Sequence, residues 1–128
     1  MKVLLDTHLI LWASFRTSLL SEAAKRIIGD PAHDLFFSVV NIWEVAIKRG
    51  LRRPEFQVDP SVLRRGLLEN GYRELSISSD HAIAVGVLPP IHQDPFDRLL
   101  VAQAVVEGIT LLTSDPIVAR YPGPVRAM

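Results

Sequence analysis

Short, strongly apolar runs alternate along the chain with longer segments in which apolar residues recur at helical spacing. The runs at Lys2–Leu5, Leu35–Val39 and Ile109–Thr113 predict buried strands. A shorter run at Glu74–Ile77 predicts a further strand, and an edge strand is predicted to begin at Val125. Near-continuous apolar strands of this kind are typical of parallel sheets, in which both faces are covered.

The segments between the strands predict helices, because capping residues and glycines mark their ends. Ser21 is a suitable N-cap, and Gly29 and Gly108 each follow a helical segment. The polar and basic residues 51–60 predict a loop. The helices are predicted at Thr7–Ser14, Ser21–Ile28, Asn41–Arg49, Ser61–Asn70, Ser79–Val87 and Pro95–Glu107, and a last short helix is predicted to start at Asp115-Pro116.

This alternation of strands and helices predicts an α/β fold. Right-handed crossovers between parallel strands place helices on both faces of the sheet. We therefore expect a three-layer α/β/α sandwich with a four- to five-stranded, mainly parallel sheet. The length of 128 residues suits one domain covering residues 1–128, and 48% apolar residues are enough to form its core.

Charge and composition exclude several classes of protein. Lys+Arg and Asp+Glu balance at 14 each, which argues against nucleic-acid binding by overall positive potential but leaves a local basic patch open. The chain has no cysteine, which excludes disulfides, thiolate metal sites and a cysteine nucleophile. The apolar N-terminal segment is too short for a signal peptide, and no stretch approaches a membrane span. We expect a soluble, cytoplasmic protein with no membrane association.

Four acids occur where a parallel sheet places its ligand-binding edge. Asp6 directly follows the first predicted strand, and Asp115 lies two residues beyond the fourth. Glu44 lies one turn into the helix after the second strand. Because the carboxyl ends of parallel strands share one edge, these three side chains are expected to converge there. Asp97, in the first turn of the helix before the fourth strand, joins them only if that helix begins at the same edge.

Converging carboxylates favour a hard divalent cation. The like charges raise one another's pKa, and Mg²⁺ or Mn²⁺ relieves the repulsion because both ions prefer oxygen ligands. Such ions polarise a phosphodiester and activate water, which is the chemistry of a metal-dependent nuclease. His8 and His92 lie near the predicted site, but oxygen is the preferred ligand.

Helix capping is an alternative explanation for each acid. Asp94 before Pro95 has the signature of an N-cap followed by proline, and Asp115 precedes a proline in the same way. Asn41 and Glu44 have capping-box spacing. Burial of charged side chains among apolar neighbours argues the other way, since an unpartnered charge is costly there. The residues alone leave both explanations open.

The order and spacing of these residues resemble the PIN-domain family, and more narrowly its VapC-like toxin ribonucleases from toxin–antitoxin systems. The resemblance extends over essentially the whole chain, and the segment His92–Ala104 is its most specific part. The segments that carry it are Val3–His8, Ser38–Lys48, His92–Ala104 and Leu112–Asp115.

The resemblance implies a Mg²⁺- or Mn²⁺-dependent endoribonuclease that cleaves RNA phosphodiester bonds with metal-activated water. It also implies a cognate antitoxin as partner and a homodimer. Asp94 is interpreted as a cap, with a supporting role beside the metal as the alternative. Thr7 and Ser114 are expected to bind a carboxylate or the scissile phosphate, with capping as the alternative. The catalytic and metal-binding residues carried over by position are Asp6, Glu44, Asp97 and Asp115, of which Asp115 is the weakest transfer.

Basic residues next to Glu44 suggest where RNA binds. They are predicted to contact phosphates beside the cleft, and the alternative is a solvated helix end with a Glu44–Lys48 ion pair. A non-catalytic RNA- or protein-binding module on the same fold is the alternative function. The basic cluster consists of Lys48, Arg49, Arg52 and Arg53.

Arg98, two histidines and an apolar stripe have further expected environments. Arg98 is expected to pair with a neighbouring acid, and His33 and His81 are expected at the surface. An apolar stripe on the early helices is interpreted either as core or as an antitoxin-facing groove. The stripe consists of Trp12, Phe15, Leu19 and Leu20.

Overall fold

A five-stranded sheet forms the centre of the protein. The structure is a computed structural model and describes residues 1–128. The strand order is β3-β2-β1-β4-β5, and every neighbouring pair is parallel, which confirms the predicted sheet. The strands are β1 (Lys2–Leu5), β2 (Asp34–Ser38), β3 (Arg73–Leu75), β4 (Thr110–Thr113) and β5 (Val125–Ala127).

Six helices connect the strands and cover both faces of the sheet. The longest has 13 residues, and none combines the length and the apolar character needed to cross a bilayer. The helices are α1 (Thr7–Phe15), α2 (Glu22–Gly29), α3 (Val39–Gly50), α4 (Pro60–Glu69), α5 (Ser79–Val85) and α6 (Pro95–Glu107).

Alternation along the strands divides the core into two clusters. Val3 and Leu5 of β1 pack into the cluster that contains residues of α1, α2 and α4. Leu4 lies on the opposite face, with Leu111 of β4 and Leu100 of α6. Successive side chains of a strand point to opposite faces, so the apolar runs fill both cores. The three-layer α/β/α sandwich is thereby confirmed.

The strand order places a topological switch point at β1 and β4. The chain leaves β1 toward β2 and β3 on one side of the sheet, and later returns to β4 and β5 on the other side. Connections that diverge in this way open a crevice at the carboxyl ends of the strands. Asp6 follows β1 and Ser114 follows β4, so both lie at this crevice.

The start of α3 differs from the prediction. The helix begins at Val39 rather than at Asn41, because Ser38 is its N-cap and accepts a hydrogen bond from the Val40 N–H. The Asn41 side chain accepts a hydrogen bond from the Ser38 N–H, which completes a capping box. Capping by an Asn41–Glu44 box, the alternative explanation for Glu44, is therefore wrong.

Smaller differences occur at other element ends. The α5 helix stops at Val85 instead of Val87. Within the predicted loop 51–60, Pro54–Phe56 form a short 3₁₀ turn around the buried Phe56. The helix predicted after Asp115 is only a 3₁₀ turn at Val118–Arg120.

Candidate active site

Asp6 is held rigidly between two strands. It is only 4% exposed, and it caps α1 by accepting a hydrogen bond from the Leu9 N–H at 2.8 Å. Its second carboxylate oxygen accepts from the Thr113 hydroxyl and the Ser114 N–H, both at 2.8 Å. Burial raises the pKa of Asp6, while these three hydrogen bonds act to lower it. The carboxylate is thus fixed at the β1–β4 switch point.

Glu44 lies buried on α3 and is held at both carboxylate oxygens. The Thr7 hydroxyl donates to one oxygen at 2.5 Å, and the Lys48 ammonium donates to the other. The Asn41 amide donates to the Thr7 oxygen at 2.9 Å and to the Leu5 carbonyl at 3.3 Å. Asn41 was predicted only as a helix start, yet its side chain orients the hydroxyl that holds Glu44.

The hydroxyls of Thr7 and Ser114 both contact carboxylates, those of Glu44 and Asp6 respectively. The Ser114 hydroxyl lies 3.4 Å from the same Asp6 oxygen that its N–H contacts. Neither side chain caps a helix, because Asp6 caps α1 and Asp115 caps the turn after β4 by accepting from the Ile117 N–H at 2.8 Å. The carboxylate-binding interpretation of the two hydroxyls is therefore the one that the structure supports.

Asp97 is the acid without a hydrogen-bond donor. Its carboxylate accepts no hydrogen bond from another residue of the chain, although its side chain is only 20% exposed. Burial is the largest cause that raises the pKa of Asp97 to about 7, and the charges of Asp94 and Glu44 raise it further. Asp6 contributes in the same direction. The start of α6 therefore lies at the same edge as the other acids.

Asp94 caps α6, as predicted. One of its oxygens accepts hydrogen bonds from the Phe96 N–H at 2.8 Å and from the Asp97 N–H at 3.3 Å. Pro95 occupies the first helical position, where its missing N–H costs nothing. The cap fixes the first turn of α6, and with it the position of the Asp97 carboxylate.

His92 completes the cluster; it was expected near the site but not among its ligands. Its Nδ1 accepts a hydrogen bond from the Asp94 N–H at 2.9 Å, which indicates that the proton of a neutral ring is on Nε2. Nε2 lies 3.0 Å from Asp115 and 3.5 Å from Asp97. Donor atoms of His92, Asp97 and Asp115 all lie within 4.8 Å of one another. Because His92 lies only two residues before Asp94, the sequence could have indicated that its ring reaches the start of α6.

Asp115 differs electrostatically from Asp97. Burial acts to raise its pKa, but hydrogen bonds from the Ile117 N–H and the His92 ring outweigh it and lower the pKa below the usual value. Asp115 is thus ionised at neutral pH and also caps a turn. Capping the turn and offering a negative charge to a cation are therefore compatible roles for this side chain.

Two expectations about neighbouring residues were wrong. Arg98 does not pair with an acid but donates to the carbonyls of Val85 and Pro89 at 3.1 Å and to the Tyr121 hydroxyl at 2.9 Å. His81 is buried rather than at the surface, with its Nε2 3.0 Å from Glu107. Both side chains hold the connection between α5 and α6 in place.

The four basic residues divide into two groups. Lys48 turns inward, and its ammonium contacts Glu44 and lies 3.7 Å from Asp94. Arg49, Arg52 and Arg53 are exposed around the end of α3. The ion pair expected from the Glu44–Lys48 spacing is therefore present, while the three arginines are free to face solvent.

The donor set suits a hard divalent cation. Two of the three donor groups that lie within 4.8 Å of one another are the carboxylates of Asp97 and Asp115, and Mg²⁺ and Mn²⁺ prefer such oxygen ligands. The third donor group is the His92 ring. The Asp97 oxygens accept no hydrogen bond, so a cation would not have to break one, although His92 Nε2 lies 3.5 Å from one of them. Two carboxylates are already fixed by hydrogen bonds, which reduces the ordering needed on binding.

Truncation of Asn41 is expected to destabilise the fold and loosen the site. Asn41→Ala leaves the buried Ser38 N–H without its acceptor and removes the amide that donates to the Thr7 oxygen, which costs about 2 to 4 kcal/mol of unfolding free energy. Urea denaturation measures the loss. Asn70→Ala, which removes an exposed helix-end amide, serves as the control. An Asn41 variant no less stable than the Asn70 variant would contradict this assignment.

Comparison with known proteins identifies relatives along almost the entire length. The sequence matches the PIN domain over residues 3–124. It is 31% identical over 126 residues to Ribonuclease VapC22 of Mycobacterium tuberculosis, covering 96% of this chain and 95% of that protein.

Solved structures of low sequence identity share the fold. VapBC2 from Rickettsia felis bound to a promoter DNA fragment superposes with a TM-score of 0.74 at 14% identity, covering 100% of this chain and 99% of that chain. DNA-bound VapBC from Salmonella typhimurium gives a TM-score of 0.62 at 17% identity, covering 99% and 98%. With the family match spanning nearly all residues and the acids gathered at one edge of the sheet, the chain belongs to the PIN domain family.

Proposed function

We propose that this chain is a divalent-metal-dependent endoribonuclease that acts as the toxin of a toxin–antitoxin pair. The observation that carries the proposal is Asp97, a largely buried carboxylate with no donor and a pKa raised to about 7 beside other acids. Such a group is typical of a site built for a cation. The similarity to a protein named a ribonuclease supports RNA as the substrate class.

The residues that would hold Mg²⁺ or Mn²⁺ are the four acids. When bound, the ion supplies Lewis-acid polarisation of the phosphodiester and makes water a better nucleophile at neutral pH. Asp97 offers free oxygens, and Asp115 lies near it through the shared contact with His92. Asp6 and Glu44 are oriented by their hydroxyl and N–H donors, so the whole set is organised before substrate arrives.

Exposed apolar side chains support a protein partner. Phe15 and Leu19 are 53% and 45% exposed and, with Trp12, line a cleft of about 380 Å³ between α1 and residues 54–58. Leu20 is buried, so only part of the predicted stripe is core. The solved neighbours are VapB–VapC assemblies, which supports a cognate antitoxin on this face.

A homodimer is the second proposed assembly. Ile83 and Val87 at the α5 end are 72% and 83% exposed, and Trp43 on α3 is 48% exposed. Large exposed apolar side chains favour association with a second copy of the chain, which would bury them. Sedimentation of the purified chain tests this assembly.

The exposed arginines are expected to contact RNA phosphates. Changing Arg49, Arg52 and Arg53 to glutamine in a catalytically inactive protein should flatten the dependence of log affinity on log salt, by about 0.7 for each phosphate of single-stranded RNA that is no longer neutralised. Fluorescence anisotropy at several salt concentrations measures the slope. A control protein carries glutamine at three other exposed arginines, Arg26, Arg65 and Arg126. An equal slope in both proteins would refute the contacts.

The function itself is tested by mapping RNA ends. Expression of the wild-type chain should generate new 5′ ends at defined sites, and expression of Asp97→Asn should not. The same comparison with purified proteins and a synthetic RNA excludes a host nuclease. If Asp97→Asn retains the full cellular effect without any cleavage, the non-catalytic binding module is the correct function.

A further inference from the structure

Lys48 is a cation enclosed within the acidic cluster. Its side chain is only 16% exposed, and its ammonium contacts Glu44 and lies 3.7 Å from Asp94. The same ammonium lies 4.9 Å from the centre of the Phe56 ring and 5.7 Å from that of Phe96. Two acids and two aromatic faces therefore surround one positive charge.

These contacts exceed those of an ordinary helix ion pair. An exposed pair four residues apart on a helix stays in solvent and contributes little to stability. Lys48 instead joins α3 to the cap of α6 through Asp94, and a ring from the 54–56 turn covers it from a third element. Burial acts to lower the pKa of Lys48, but the neighbouring acids outweigh it and raise the pKa, so the ammonium stays charged.

We propose that Lys48 is a positioning residue that serves as the resident counter-ion of the carboxylate cluster. It holds Glu44 and the Asp94 cap together when no divalent ion is bound, and its charge weakens the binding of that ion. The second statement rests on the proposed function, since it requires the acids to bind a divalent cation. The role of Lys48 in holding Glu44 and Asp94 together does not depend on the proposed function, because it needs only the two carboxylates.

Removing the Lys48 charge is expected to change both the stability of the metal-free protein and its affinity for a divalent ion. Without Lys48, several carboxylates repel one another with no internal cation, so the metal-free protein becomes less stable. A divalent ion held by the same carboxylates experiences repulsion from a nearby ammonium, and removal of the ammonium relieves it. One substitution therefore lowers stability in chelator and raises metal affinity, whereas a general packing defect would lower both.

The test compares Lys48→Met with Lys25→Met, using wild-type protein as the reference. Lys25 forms a surface ion pair with Glu22 at 3.4 Å, so the control removes an equivalent charge outside the cluster. Lys48→Met is expected to lower the melting temperature in EDTA by about 4 °C, and to bind Mn²⁺ about tenfold more tightly by calorimetry. Lys25→Met should change neither. Lys48→Arg, which keeps the charge, should keep the wild-type Mn²⁺ affinity.

A measurement on the unsubstituted chain keeps the proposal testable if Lys48→Met does not fold. The sequence contains three lysines, Lys2, Lys25 and Lys48. After reductive ¹³C-methylation, which preserves the charge, only the Lys48 signal among the lysines is expected to move as Mg²⁺ is added. A Lys48 signal that stays in place at saturating Mg²⁺, or a Lys48→Met protein with weaker Mn²⁺ binding, would overturn the proposal. If wild-type protein binds no Mn²⁺ or Mg²⁺ at all, the proposed function fails instead, and the EDTA melting comparison alone decides the counter-ion role.

Discussion

Asp97→Asn is expected to lower the rate of RNA cleavage by about a thousandfold or more while the protein remains folded. The substitution keeps the size of the side chain but removes the carboxylate neither of whose oxygens accepts a hydrogen bond, although one lies 3.5 Å from His92 Nε2. Its backbone N–H still donates to the Asp94 cap, so the start of α6 is preserved. Cleavage of a fluorescent RNA in Mg²⁺ measures the loss, and circular dichroism verifies the fold.

The same variant is expected to be more stable than wild type in chelator, with a defined pH dependence. Asp97 has a pKa of about 7 in the fold against 3.8 ordinarily. The folded state thus binds a proton that the unfolded state releases, and this stabilisation is complete below pH 4 and lost as the pH rises through 7. Asparagine does not titrate, so the advantage of the variant grows across this interval, to on the order of 2 kcal/mol.

Asp80→Asn is the matched control, because Asp80 is also a first-turn acid but lies exposed on α5. It should change neither cleavage nor the pH profile of unfolding. Asp97→Asn melting below the wild type at pH 8 in EDTA would show that Asp97 acts mainly as a helix-start residue.

Removal of divalent ions is the second large expected effect. EDTA should stop cleavage completely, and Mg²⁺ or Mn²⁺ in excess should restore it, because the acids alone cannot polarise a phosphodiester. Ion binding should also stabilise the fold by about 2.7 kcal/mol at a free concentration one hundred times the Kd. Both effects should weaken below pH 7, where protons compete for Asp97. Undiminished cleavage in EDTA would rule out the metal mechanism.

The sheet and most of the acidic site could be predicted because they follow from short-range patterns. Apolar runs mark buried strands, and parallel strands place their carboxyl ends together, so Asp6, Glu44 and Asp115 were expected at one edge. The position of Asp97 could not be predicted in this way, because it depends on which edge of the sheet α6 starts from. Local periodicity in the sequence does not indicate that edge. The structure places Asp97 with the others through the cap at Asp94 and the contact with His92.

Side-chain directions were the part that sequence reasoning could not supply. Lys48 has both the spacing for an ion pair and the charge for RNA, and only the packing of Phe56 and Phe96 around it decides that it turns inward. Arg98 lies beside acids in sequence, yet its guanidinium donates hydrogen bonds to the backbone carbonyls of Val85 and Pro89, between α5 and α6. The early start of α3 was missed because Ser38 also ends a strand.

The bonds between Asp6 and the end of β4 join residues 107 and 108 positions apart. During synthesis, β1 therefore lacks one of its two neighbours until residues 110–113 have left the ribosome. A partly made chain holds Asp6 without the Thr113 and Ser114 donors that aim it. The Asp6 carboxylate therefore cannot be fixed in its final orientation until the chain has been synthesised through Ser114.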